Sequence, residues 1–369
     1  MGAYNRLVIT PLTDRCWLTI TSAFFNRMAA NPAGPAGTGK TECCKDFAKV
    51  LARYCIVFNC SSQNTVKIME KLFMGQASTG TWSCLDEFNR IEVEVLSVIA
   101  QQMLQIREAQ LANLSMVNFC GRNLVLNANM GIFITFNLGY VGRSQIPDSM
   151  QALMRPMAMV VPDYQLIAEN VLYSVGFSQA PALAQKLFIL FKLANDQVTM
   201  SMHYDFGMRQ MKAVLDLSGD IKQKQPKENE IRILRTAIVE ILIPRLLEDD
   251  IIIIETLITD LFPGILRGDI VEKSFLDAMN AVMAAKHITP SEKFVEKLCQ
   301  LRKQCQIRFG VILLGTTMTA KTAILNLLVQ SLILEQHNAG NAKFQVNMST
   351  LNPKAFSLQE LYGRFDDSN

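Results

Sequence analysis

Gly34, Pro35, Ala36, Gly37, Thr38, Gly39, Lys40 and Thr41 fill every fixed position of the pattern G-x-x-x-x-G-K-[ST]. That pattern is a loop whose backbone amides cradle a polyphosphate. Its glycines let N–H groups approach the phosphates without a Cβ in the way. Lys40 reaches the β- and γ-phosphates, and the Thr41 hydroxyl is a ligand for Mg2+. Residues 41–53 then set Cys44, Phe47, Ala48 and Leu51 on one stripe. This predicts a helix whose positive N-terminal end adds to the anion site.

Asp86 and Glu87 follow the apolar run 81–85, at the end of a predicted strand. Beside a phosphate loop two adjacent carboxylates divide the work. Asp86 is expected to hold Mg2+, directly or through water, and Glu87 to orient and polarise the attacking water. Asn137 closes the apolar strand 131–137 and is a candidate for the polar group that senses the γ-phosphate. Phosphoryl transfer spreads charge over oxygens that a guanidinium stabilises. Arg143, Arg155 and Arg209 are candidates for that role, and spacing alone does not rank them.

These residues need a scaffold that brings strand ends together. The first ~160 residues alternate strand and helix signals, as in a parallel sheet wrapped by helices. Strands are expected over 55–60, 81–85, 131–137 and 157–161, and helices over 65–74 and around 95–106. From 163 the pattern turns helical, with helices expected over 167–173, 182–195, 207–217 and 229–247 and a polar surface loop over 219–230. The last hundred residues restart the first pattern. A helix over 291–304 leads to an expected buried strand at 310–314, and Gly315, Lys321 and Thr322 repeat the phosphate-loop register before a helix over 323–334. Ala320 stands where the last glycine belongs, which makes this a weak second nucleotide site. A further strand is expected over 344–348. The repeat breaks off in mid-unit, as in a piece of a tandem array. The expected domains are an α/β part over 1–163, a helical part over 164–285 and the start of a second module over 286–369.

Half of the 369 residues are hydrophobic and 19% are charged, which is globular material with ample core. The net charge of +3 is spread along the chain without a basic stripe, which argues against nucleic acid as a partner. No apolar run reaches the ~18 residues that span a bilayer. Nine scattered cysteines and three histidines do not form a zinc pattern, and buried free thiols in a reducing compartment fit best.

Taken together the chain resembles a dynein heavy chain, the AAA+ motor that walks on microtubules. The likeness covers nearly the whole length. Residues 7–16 resemble the family's entry into its first module, 32–42 its first phosphate loop, and 86–91 with 95–98 its acidic strand end and the helix beyond. Residues 131–143 resemble the first sensor, 152–164 the following Arg-Pro and Val-Pro-Asp stretch, 203–209 the second-sensor helix, and 315–322 with 351–355 the start of a second module. The resemblance implies a P-loop AAA+ three-layer α/β/α fold and hydrolysis of ATP with Mg2+. It carries over Lys40, Thr41, Asp86, Glu87, Asn137 and Arg209, and lifts Arg209 above Arg155. It also implies neighbouring AAA+ modules, microtubules, intermediate and light chains as partners, and a cytoskeletal place in the cytoplasm or the axoneme of a cilium, with the divergence favouring the axonemal type. Three departures stand out. Ala29, Ala30 and Asn31 replace Gly-Gly-Ala, Leu85 replaces Phe, and Leu138 replaces the proline after Asn137. They bear on turnover more than on binding. The alternative that the substitutions around Asn31 and Leu138 favour is a nucleotide-gated scaffold module that binds ATP with little hydrolysis.

Overall fold

The computed structural model describes residues 6–35, 37–137, 146–199, 201, 203–263, 273–338 and 346–363. The chain divides into two compact units. One comprises Met1–Leu234 and Ile252–Leu261, the other Arg235–Ile251 and Phe262–Asn369.

The first unit opens with α1 (Pro11–Phe25), β1 (Ala29–Gly34), α2 (Lys40–Val50), β2 (Cys55–Asn59), α3 (Val66–Thr79), β3 (Trp82–Asp86) and α4 (Val93–Leu111). It continues through a hairpin of β4 (Met116–Phe119) and β5 (Arg122–Val125), then β6 (Gly131–Ile134), β7 (Phe136–Asn137), α5 (Asp148–Gln151) and β8 (Met154–Ala158). The main sheet runs β2-β3-β6-β1, with β7 and β8 both paired to β1, and every pairing is parallel. Parallel strands need crossovers, and those crossovers put helices on both faces. One face buries Cys16, Ile20, Cys44 and Phe47 of α1 and α2 against Trp82 and Phe133. The other buries Met69, Phe73, Leu96, Ile99 and Met103 of α3 and α4 against Leu85 and Ile134. Burying a side chain such as Phe73 or Phe133 contributes roughly 2 kcal/mol each. The result is the expected three-layer α/β/α sandwich.

The helices α6 (Tyr164–Val175), α7 (Ala180–Gln197) and α8 (Met208–Lys224) follow. Asp163 starts α6 by accepting the Leu166 N–H at 3.1 Å, and Gly176 ends it with φ +94°. Helices α9 (Glu230–Leu242) and α10 (Glu248–Leu261) contribute residues to both units. The second unit adds α11 (Lys273–Ala285), α12 (Glu292–Ile307), α13 (Lys321–Asn338) and α14 (Leu358–Tyr362). Its core packs Phe275, Met279, Leu298, Leu301 and Leu327.

Five sequence expectations need correction. Residues 310–314 form no strand, and Ile312 and Leu314 are exposed. Residues 346–348 likewise form none, while 344 and 345 lie outside the described residues. A parallel strand exists only by pairing with a neighbour, and all described strands lie between residues 29 and 158. The loop expected over 219–230 shrinks to 225–229, because α8 continues to Lys224. Gly219 is not a breaker there. It is buried under Val175, whose Cγ1 would lie 3.0 Å from an added Cβ, so the glycine allows α6 and α8 to approach. The cysteines, finally, are all free but not all buried, since Cys120 and Cys305 are exposed. The last strand of the sheet also lies three residues earlier than expected, at β8.

Candidate active site

In a parallel sheet all strands end at one edge, and that edge gathers the chemistry. The register makes this concrete. Gly34 at the end of β1 pairs with Asn137, and Asp86 at the end of β3 pairs with Asn59. The phosphate loop, the acidic pair and Asn137 therefore share one edge.

Gly37 and Gly39 take φ +78° and +82°, left-handed values open to glycine at little cost. Gly34 is required for a different reason. An added Cβ would lie 2.1 Å from the Met159 carbonyl oxygen, on the chain leaving β8. Helix α2 runs Lys40–Val50, against the 41–53 expected, with Gly39 as its N-cap. The Lys40 side chain is buried and its Nζ donates to the carbonyls of Gly34 (3.0 Å) and Pro35 (2.5 Å). Thr38 Oγ1 also donates to the Pro35 carbonyl, at 3.0 Å. Ala36 lies outside the described residues.

Thr41 Oγ1 donates to Asp86 Oδ1 at 2.8 Å. Glu87 takes φ +52°, a left-handed value that costs a non-glycine residue about 1–2 kcal/mol. The turn is held by Thr135, which sits between β6 and β7 and is buried. Its hydroxyl donates to Asp86 Oδ1 and accepts the Glu87 N–H at 3.3 Å, while its carbonyl accepts the Phe88 N–H at 3.1 Å. The Glu87 carboxylate is engaged at both oxygens. Asn137 Nδ2 donates to Oε1 at 2.9 Å, and Arg90 Nε pairs with Oε2 at 2.5 Å. Asn89 Nδ2 in turn donates to the Asn137 carbonyl at 3.2 Å.

The structure thus brings together Lys40, Thr41, Asp86, Glu87 and Asn137. Arg209 lies exposed in the first turn of α8 and makes no hydrogen bond or ion pair with that group among the described residues. Arg155 is exposed on β8, paired in register with Ala30. Arg143 and Leu138 lie outside the described residues. Sequence reasoning missed Thr135, Asn89 and Arg90. A hydroxyl between Ile134 and Phe136, inside an otherwise apolar strand, was the available signal for Thr135. Asn89 and Arg90 follow the acidic pair directly and carried no separate signal.

The second loop has the same local construction. Lys321 opens α13 and its Nζ donates to the carbonyls of Gly315 (2.8 Å) and Thr316, as Lys40 does to Gly34 and Pro35. Met318 and Ala320 take φ +67° and +61°, where the first loop has Gly37 and Gly39. Each departs from glycine at a cost of about 1–2 kcal/mol. Thr322 is exposed.

A parallel sheet of this order, with a glycine loop after β1, an acidic pair after β3 and an asparagine amide bonded to that pair, defines a P-loop nucleoside-triphosphate module of the AAA+ type. The family model described as the hydrolytic ATP binding site of dynein motor region matches residues 1–322. Dynein axonemal heavy chain 3 of Mus musculus is 43% identical over 367 residues, which cover 99% of this chain and 9% of that protein. Dynein axonemal heavy chain 12 of Mus musculus is 44% identical over 367 residues, covering 99% of this chain and 12% of its own length. Dynein axonemal heavy chain 6 of Homo sapiens is 43% identical over 373 residues, covering all of this chain and 9% of that protein. The chain belongs to the family of dynein motor-region modules that carry the hydrolytic ATP-binding site. It spans about a tenth of the length of the curated relatives it matches.

Proposed function

We propose that this chain is the ATP-hydrolysing module of a microtubule motor, with Lys40 and the loop around it gripping the polyphosphate and Glu87 directing water at the γ-phosphate. One observation carries the reading. The first turn of α2 delivers the Thr41 hydroxyl to Asp86 at 2.8 Å, and the end of β7 delivers the Asn137 amide to Glu87 at 2.9 Å. A surface acidic turn has no reason to be held by a sensor amide on one side and a loop hydroxyl on the other.

The donor set suits Mg2+. Thr41 Oγ1 and Asp86 Oδ1 are hard oxygens side by side at the mouth of the loop. When bound, Mg2+ neutralises charge across the β- and γ-phosphate oxygens. The residues supply the rest. Lys40 moves its ammonium from loop carbonyls to phosphate oxygens. Asn137 fixes the Glu87 carboxylate, and Glu87 accepts the proton of the attacking water. Thr135 sets the angle between the two carboxylates. Arg209 and Arg155 are the proposed sources of positive charge for the transferring group, Arg209 from the helical part.

On this reading residues 1–163 form the large α/β part, 164–285 the helical part and 286–369 the start of a second module. The loop at Gly315, Lys321 and Thr322 is a second, weaker nucleotide site. Hydrolysis changes the contacts that ATP makes to the α/β and helical parts and so biases their arrangement. The relatives' names place them in axonemes. We accordingly propose an axonemal heavy chain as the parent, with adjoining AAA+ modules, microtubules and accessory chains as partners. The Lys40→Ala variant tests the site. It is expected to abolish ATP binding measured by fluorescent-nucleotide titration, and undiminished affinity would overturn the assignment.

A further inference from the structure

The edge of the sheet away from the phosphate loop holds a second cleft. It opens where β1, β3 and β6 begin, beside Ala29, Trp82 and Gly131, and has a volume of about 180 Å³. Strand β1 separates the two edges by about 17 Å, five steps of ~3.3 Å. The floor is apolar, with Phe24, Trp82, Met103 and Ile106. Three arginines line it, Arg27, Arg53 and Arg107, and no Asp or Glu does so among the described residues.

No carboxylate pairs with any of the three arginines among the described residues. Arg107 Nε is buried without a hydrogen-bond acceptor. Arg53 makes no ion pair among the described residues and is exposed at the rim. Arg27 is fixed in place, with φ +52° and its Nη1 donating to the Ala128 carbonyl at 2.8 Å. The neighbouring Asn129 carbonyl is taken by Trp82 Nε1 at 2.9 Å. Of these two carbonyls, one is thus taken by Arg27 itself and the other by Trp82.

Helix ends account for part of this charge. Arg27 follows the C-terminus of α1, Arg53 that of α2, and Arg107 lies near that of α4. Each such end is worth about half a negative charge. Three halves set against three full positive charges leave an excess of about 1.5, over an apolar floor that strengthens any ion pair formed there. Arg107 Nε bonds none of these helix-end carbonyls.

We propose that this cleft binds an oxyanion of the phosphate class, either inorganic phosphate or a phosphomonoester. Planar guanidinium forks match tetrahedral oxyanions, and a dianion matches the excess charge better than one carboxylate does. The volume admits one such group over the apolar floor.

The test is a thermal-shift and calorimetric titration of the chain with inorganic phosphate, run with saturating ADP so that the first loop is filled. Sodium chloride at equal ionic strength is the control, and acetate and a simple phosphomonoester are parallel arms. Phosphate is expected to raise the melting midpoint above the chloride control. Arg53→Gln is expected to weaken phosphate binding about tenfold, the loss of one charged fork. Arg107→Gln is expected to remove the response. Should that variant fail to fold, Arg53→Gln still decides the matter, since its side chain is exposed. A tighter phosphomonoester identifies the ligand as an ester, and a tighter inorganic phosphate identifies the free ion. No response beyond chloride, an unchanged response in Arg53→Gln, or acetate binding as tightly as phosphate would each overturn the proposal.

Discussion

Thr135 is the residue on which the geometry of both carboxylates depends. Its hydroxyl bonds Asp86 and the Glu87 N–H together, and its carbonyl holds the Phe88 N–H. Valine keeps the shape and removes the hydroxyl. Thr135→Val is therefore expected to lower ATP turnover about ten- to a hundredfold, the usual cost of a small misplacement at a reacting centre. Thr135→Ser should restore most of it, because the hydroxyl returns. A steady-state assay of both variants checks this, and equal rates in the two would remove Thr135 from the machinery. Asn137→Ala belongs to the same set. It removes the amide bond to Glu87 Oε1 and is expected to reduce kcat while leaving ATP affinity near that of the unmodified chain.

Two features matter at the scale of elements. The first is the close approach of β8 to β1. Gly34→Ala drives a Cβ into the Met159 carbonyl and is expected to cost about 3 kcal/mol of stability, since backbone rather than a side chain must move. Chemical denaturation measures it, and a loss below about 1 kcal/mol would show that the strand end gives way easily. The second is Glu230 at the start of α9. Its carboxylate accepts the N–H groups of Ser178 (2.9 Å) and Gln179 (3.0 Å), just ahead of α7, and pairs with Lys222 at 3.2 Å. Burial pushes its pKa up, but the Ser178 and Gln179 N–H groups and Lys222 together outweigh this and hold it below the ordinary glutamate range. The stabilisation is therefore full above that ordinary range and is lost as pH falls through the lowered folded value. Glu230→Gln is expected to cost about 1.5–3 kcal/mol at neutral pH, and the difference from the unmodified chain should vanish in acid.

What could be read in advance follows from how local each signal is. Strands β2 and β6 are apolar runs and β3 is broken only by Ser83, so these strands and the acidic pair that closes β3 were legible, while Thr135 divides the single strand expected over 131–137 into β6 and β7. Helix α1 was not read as a helix, although Thr10 caps it by accepting the Thr13 N–H and Cys16, Ile20 and Ala23 lie on one face. The β4–β5 hairpin turns on Cys120 and Gly121, with φ +50° and +80°, and cysteine is not a residue that announces such a turn. Thr135 and Arg90 act through contacts between segments some 50 residues apart or through a left-handed turn, and neither is written in a local pattern.

The whole molecule shows a contrast between its two units. The first carries all the described strands, and the second presents Phe309, Ile312, Leu314 and Met318 to solvent along an unpaired stretch. Backbone amides without a ladder exchange quickly. Hydrogen exchange is expected to label 310–316 within the earliest time points while β1, β3 and β6 stay protected. Protection of 310–316 comparable with that of β6 would mean that this stretch is paired in solution.

Single-turnover hydrolysis by Glu87→Gln separates the binding of ATP by the Lys40 loop from its cleavage with Glu87 as the base. The substitution keeps the size of the side chain and its bond from Asn137 while removing the charge. ATP is expected still to bind, and cleavage to slow by about a hundredfold or more. Cleavage at the unmodified rate, with ATP bound, would contradict the role of Glu87 as the base.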